Sequence, residues 1–402
     1  MWVLQQHALG PFWNAFLIGI QNMNIKGLLL GSAAALVAVS GARAADAVVV
    51  AEPEPMEYVR VCDVYGAGFY YIPGTETCLR VGGYLRYDIR AGEGGYGGFK
   101  DVWDKKDFVN GIAKTNDTYY KRARAAVQLD ARSETELGTL RAYMHINFDW
   151  NSTAEGRTAL VDGVPETHGW TGTGTSTGIN HAFIELGGFR VGKTDSLFAT
   201  LTGYAGNVIE DDLISYAGGS SADYGTHQIA YTYVGGNGFS ASVAVEEGAY
   251  DNAIDSYVPH VVAGAAYTQG WGGVSGVVGY DSNYEEWAGK LRLDVNVNEQ
   301  LSLFVMGGYG TDDNVTRNFY KGWGGNWAVW GGASFKATEK ATINAQVAYA
   351  ENKDLAVVAN VAYQLVPGFT ITPEIAWNSV HTESKEKIGD GFGGMIRFQR
   401  SF

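Results

Sequence analysis

The chain has 402 residues, 55 of them Gly and only 8 Pro, with 13% aromatic and 18% charged residues. So many aromatics exclude a disordered chain, which lacks the apolar side chains needed to offset its ordering entropy. With 29 basic and 43 acidic residues the formal charge is −14, which excludes a general phosphate-binding surface and leaves nucleic acid out as a partner.

At the amino end, "MNIKGLLLGSAAALVAVSGARAADA" places Lys26 in a basic n-region, ahead of an apolar run to Val39 and the small-residue site Ala42-Arg43-Ala44. This is the pattern of a secretory signal over residues 23–44, cleaved before Ala45. Residues 1–22 add an apolar patch that export does not need and read as a misassigned start. Nothing after Ala45 approaches the roughly 18 uninterrupted apolar residues of a membrane helix. If the exported chain spans a membrane, it does so with strands.

Residues 45–78 read as a periplasmic lead-in ending in a hairpin. Cys62 and Cys78, the two cysteines, bracket the turn Pro73-Gly74-Thr75. In an oxidising compartment such a pair forms one disulfide, and closing a loop of about 16 residues contributes ~3 kcal/mol in the chain-entropy model. A metal would need more ligands than these two supply, so no metal or cofactor is expected.

From residue 79 the chain alternates at period two. In "CLRVGGYLRYDIR", Leu79, Val81, Leu85, Tyr87 and Ile89 alternate with Arg80, Tyr84, Arg86, Asp88 and Arg90. The same pattern returns in "TLRAYMHINFDW" and "EEWAGKLRLDVNV". A half-buried strand of a soluble sandwich would also alternate, so the connections decide. Tight ones occur at "SETELG", Gly187-Gly188, "GGNG", "QGWG", "NEQ", "TEK" and "VPG". Between them lie longer ones: residues 91–118, 151–178, 196–226, 310–326 and 378–390. The expected fold is all-β, a transmembrane antiparallel up-and-down barrel of roughly sixteen strands over residues 79–402, with turns at one end and loops at the other. Such a barrel encloses a water channel, with polar phases inward and aromatics such as Trp150, Trp287 and Trp327 in outward girdles.

"VCDVYGAGFYYIPGTETCLRVGGYLRYDIR", "TGYAGNVIEDDLIS", "YVGGNGFSASVAVEEG", "WAVWGG", "ANVAYQLVPGFTITPEI" and "IRFQRSF" resemble the trimeric general porins of alphaproteobacterial outer membranes. The resemblance implies a homotrimer in outer-membrane lipid and lipopolysaccharide, passively admitting small hydrophilic solutes. It further implies that the third extracellular loop folds into the lumen as a constriction, which by position is residues 196–226. Glu210, Asp211 and Asp212 would then stand in a narrow aqueous passage, where charge selects ions. Lumen-phase Arg80, Arg86, Arg90, Arg122, Arg124 and Arg141 are expected to face them, creating a transverse field. The other reading of the acids is a solvated acidic loop capping a helix. Net charge and the acidic triplet together predict modest cation preference.

Two rival functions use the same fold. A sugar-specific channel would use Tyr204 and Tyr216 as stacking surfaces, and a structural or adhesive barrel would act through its loops. An enzyme is disfavoured: the histidines are scattered, no G-x-S-x-G stretch opens a helix as a nucleophile elbow does, and His145 near Asp149 reads equally well as a pore-lining pair. "TGTGTSTG" opens no helix and reads as a loop instead of a phosphate cradle. The closing "GGMIRFQRSF" puts Ile396, Phe398 and Phe402 on the lipid phase and Met395, Arg397, Gln399 and Ser401 on the lumen phase. Arg400 breaks the alternation and is expected to snorkel to the headgroups. The family resemblance makes terminal Phe402 the signal read by the barrel assembly machinery.

Overall fold

The computed structural model describes residues 60–402 apart from residues 94, 97 and 222. The expected leader, the start extension and most of the lead-in therefore lie outside the described residues. The lead-in's end is a small hairpin in which Tyr70 and Tyr71 pair with Leu79 and Cys78. Cys62 and Cys78 form a disulfide, buried together with Phe69.

Sixteen antiparallel strands follow. The first four are β1 (Cys78–Gly92), β2 (Tyr120–Thr135), β3 (Gly138–Val161) and β4 (Val164–Leu186). Next come β5 (Phe189–Asp195), β6 (Gly225–Val234), β7 (Phe239–Glu246), β8 (His260–Gln269), β9 (Gly272–Asp281) and β10 (Glu286–Asn296). The last six are β11 (Leu301–Gly310), β12 (Trp327–Lys336), β13 (Ala341–Ala350), β14 (Leu355–Val366), β15 (Phe369–His381) and β16 (Lys387–Ser401). Each pairs with its neighbours, and β16 returns to β1, Gln399 opposite Arg86 and Ile396 opposite Ile89. Closure leaves no unpaired edge in hydrocarbon. At the seam, Phe402 exchanges both backbone hydrogen bonds with Gly83 (3.1 Å each), whose missing side chain leaves room for the Ala126 carbonyl of β2.

The alternation sorts as expected, with Leu85, Tyr87, Phe148, Trp150, Trp287, Leu291 and Leu293 pointing outward. Two expected loops fail: residues 378–390 are mostly strand, with Ser379 opposite Asp390 and His381 opposite Lys387, so only residues 382–386 connect β15 to β16. Residues 151–178 are not a long loop: β3 and β4 pair continuously up to Val161 opposite Val164, so "TGTGTSTG" is strand. The turn is Asp162-Gly163, both at positive φ (49° and 81°), as a two-residue type I′ hairpin requires. The long hairpin projects beyond the rim and is covered by the first connection, whose Trp103 is buried and donates to the Arg157 carbonyl (2.6 Å). Connections 282–285 and 351–354 are likewise short, so the two ends of the barrel differ less than a strict alternation of turns and loops implies.

Two connections turn inward. The one between β5 and β6, residues 196–224, and the one between β11 and β12, residues 311–326, pack on small lumen-facing residues including Ala244, Ala288, Ala328, Ala348 and Ala356. Phe198, Tyr216, Phe319, Tyr320, Trp323 and Trp330 fill this internal core. Lys290 is also buried there, its ammonium 4.6 Å and 5.2 Å from the ring centres of Phe198 and Tyr216. The lumen face from β6 to β14 is thus covered by protein. The uncovered side, on β16 and β1 to β4, carries Arg86, Arg90, Arg122, Arg124, Arg141 and Arg397.

Candidate functional site

The inward connection begins with a helical turn, Leu197–Thr200. Ser196 caps it by accepting from the Phe198 amide (3.1 Å), and the Glu246 carboxylate accepts from the Leu197 amide (2.8 Å) and the Ser196 hydroxyl (2.7 Å). An acceptor at the N-cap and a carboxylate beside it satisfy orphan amides and suit the helix dipole.

Beyond it, the wall holds the chain one residue after another. Arg292 donates to the Tyr204 carbonyl (2.5 Å), Asn360 to that of Asn207 (3.2 Å), Gln346 to that of Asp211 (2.7 Å), and Trp330 to that of Ile214 (2.8 Å). Glu374 on β15 works the other way. Its buried carboxylate accepts from the Ile209 amide (2.5 Å), the Glu210 amide (2.9 Å), Asn360 (2.8 Å) and the Tyr96 hydroxyl of the first connection (3.0 Å). These anchors fix where the acidic turn stands. None was singled out from sequence, because a lone Glu on a lumen phase looks like any other.

Glu210 reaches across the lumen to Arg90, Oε1 to Nη1 2.9 Å. Asp211 accepts from the buried Tyr216 hydroxyl (3.0 Å). Burial raises all three acids above the usual carboxylate range. Glu210 is pushed up to about 7, opposed by Arg90 and raised further by Asp212 and Glu374. Asp211 is also pushed up to about 7, by burial and then by Asp212. Asp212 is raised by burial, with Arg90 acting against it.

Of the expected arginines, only Arg90 touches the acidic turn. Arg122 and Arg90 flank Asp88, with Arg122 at 2.7 Å and Arg90 at 3.9 Å. Arg397, named from sequence only as lumen-facing, binds the same carboxylate at 2.8 Å and 3.2 Å. Arg124 makes a bidentate pair with Asp149, both bonds 2.7 Å. Arg80 and Arg141 lie elsewhere: both join Asp130, at 3.6 Å and 3.0 Å, and Arg141 also holds Glu185 at 2.8 Å. The physical reason is height. Strand phase decides which face a residue occupies, but ten residues of β1 separate Arg80 from Arg90, roughly 33 Å of rise along the strand.

Two further expectations are corrected. His145 does not pair with Asp149, which Arg124 occupies; its Nε2 meets the Asn147 side-chain oxygen at 3.1 Å, and its ring lies 5.6 Å from that of His181. Tyr216 is fully buried and offers no stacking face, whereas Tyr204 is 41% exposed.

A family model described as a porin subfamily matches residues 46–394. Porin Omp2a of Brucella melitensis is 50% identical over 389 residues, covering 94% of this chain and all of the relative. Porin Omp2b of Brucella neotomae is 49% identical over 392 residues with the same coverage. Among solved structures, the outer-membrane channel DcaP of Acinetobacter baumannii superposes with a TM-score of 0.59 at 17% identity, covering 83% of this chain and 99% of that one.

Proposed function

The chain belongs to the porin subfamily and is an outer-membrane channel; on that premise we propose that its selectivity is set where the acidic turn Glu210-Asp211-Asp212 faces the arginines of β1, β2 and β16. The observation that carries this reading is the Glu210–Arg90 contact of 2.9 Å. It joins the inward connection to the opposite wall at one point, so that solutes pass beside it between acids and bases. A polar solute aligns in that transverse field, while an apolar one must displace the water ordered there. Small hydrophilic solutes and ions therefore cross passively, with weak cation preference from the turn.

The test is the zero-current potential of the channel in a planar bilayer under a KCl gradient. Cation preference is expected, falling when Glu210, Asp211 and Asp212 become Gln, Asn and Asn. Anion preference in the parent chain, or an unchanged potential in the variant, would sink the reading. Liposome swelling separates the rivals: uptake graded by size supports a general pore, saturation by one sugar a specific channel, and no swelling a structural barrel. The burial of Tyr216 weighs against the sugar channel, which loses one of its two stacking rings.

The remaining assignments belong to the same reading. Residues 23–44 act as the cleaved signal and residues 1–22 lie upstream of the true start. The barrel assembles as a homotrimer amid lipid and lipopolysaccharide, and Phe402 is read by the assembly machinery.

A further inference from the structure

Rows of lumen-facing residues run across β16, β1, β2 and β3, set by the strand register. One row is Arg397, Asp88, Arg122 and Asn151; the next towards the turn-bearing end is Gln399, Arg86, Arg124 and Asp149. The first row places its acid between two arginines. The second places Arg86 directly opposite Arg124, and its only acid is engaged by Arg124 through both oxygens. Like charges directly opposite on one face of a sheet repel, and this patch holds four guanidiniums against two carboxylates.

Arg86 is left over. Among the described residues it meets no carboxylate, whereas Arg122, Arg124 and Arg397 all do. Its side chain is nevertheless held in place. Nε donates to the Gln399 side-chain oxygen (2.9 Å), Gln399 in turn donates to the Ser401 hydroxyl (3.2 Å), and the guanidinium lies 4.4 Å over the Tyr84 ring. A guanidinium pinned at Nε and stacked on an aromatic has lost most of its rotamer freedom, and among the described residues its two Nη groups have no acceptor. That planar edge matches two coplanar oxygens of a carboxylate or phosphate.

We propose that Arg86, flanked by Arg124 and Arg397, is an oxyanion-binding step in the solute path, two residues along β1 from Asp88 and on the periplasmic side of the acidic turn. It takes carboxylate- or phosphate-bearing solutes, which dwell there, while chloride lacks the paired oxygens and passes. The step rests on the channel reading for its access to solute, but not on the role of the acidic turn.

The test is single-channel current in KCl with inorganic phosphate or succinate added to the turn-bearing side. In the parent chain both are expected to block in a concentration-dependent way, and equal ionic strength of extra KCl is not. Arg86→Gln should raise the half-blocking concentration at least about tenfold, the cost of losing a charge-assisted bidentate pair. Arg86→Lys should fall between, because a point charge replaces the fork. Gln399→Leu, which keeps Arg86 but releases Nε, should weaken the block and covers the case in which Arg86→Gln fails to assemble. Block by phosphate and succinate that is unchanged in Arg86→Gln, or absent in the parent, overturns the proposal. The zero-current potential, read in the same bilayers, reports separately on the acidic turn.

Discussion

Replacing Glu374 by Ala tests whether a wall carboxylate sets the position of the acidic turn. Four donors lose their acceptor: the Ile209 and Glu210 amides, Asn360 and Tyr96. A buried donor without an acceptor costs about 1–3 kcal/mol. Only the two amides belong to the turn, and lumen water rehydrates them once it swings free, so the attached state loses ~2–6 kcal/mol against the detached one. That is a shift of at least about 30-fold in the attachment equilibrium. Gln346 and Trp330 still hold Asp211 and Ile214, so the release is confined to about residues 207–210, and the sixteen-strand ladder is untouched. Single-channel recordings of Glu374→Ala should show new substates and open-channel noise, with the folded band in detergent electrophoresis as heat-resistant as the parent. Glu374→Gln, which keeps one carbonyl oxygen, should be intermediate. A Glu374→Ala channel with the parent's quiet conductance and unchanged zero-current potential would refute the reasoning.

Because burial raises Glu210 and Asp211 to about 7, these groups lose charge as pH falls through neutrality and gain it above. Cation preference should therefore be greater at pH 9 than at pH 5, and a potential flat across that window would contradict the burial of the turn. Asp88 is fully buried and serves Arg122 and Arg397. Asp88→Asn should move the zero-current potential towards anions and lower the heat stability of the folded band, since stripping a buried carboxylate from its cations typically costs about 3–5 kcal/mol. Phe402→Ala should reduce the amount of assembled barrel in the outer membrane while leaving export and the conductance of each assembled channel unchanged, as measured by fractionation and bilayer recording.

Period-two alternation is a local property, and it alone fixes which side of the sheet a residue faces. Hence Leu85, Phe148 and Trp287 outward and Arg86, Arg124 and Arg397 inward are legible without coordinates, as are the strand number and the disulfide partners. The missed hairpin at Asp162-Gly163 was legible too: an Asp-Gly pair between alternating strands is a strong turn signal, masked by the Gly- and Thr-rich run that follows. Height in the barrel is different. It depends on the register of every strand with the next, accumulated around the closed sheet, which is why Arg80 and Arg141 meet Asp130 and not Glu210. The inward course of residues 196–224 and 311–326 depends on something less local still, the row of alanines on β7 to β14 that leaves room for them. No short stretch of chain encodes that cavity. For the same reason Glu374, a lone acid in "TITPEIAW", became the anchor of the constriction only once Tyr96, the Ile209-Glu210 pair and Asn360 had been brought to it from three separate parts of the chain.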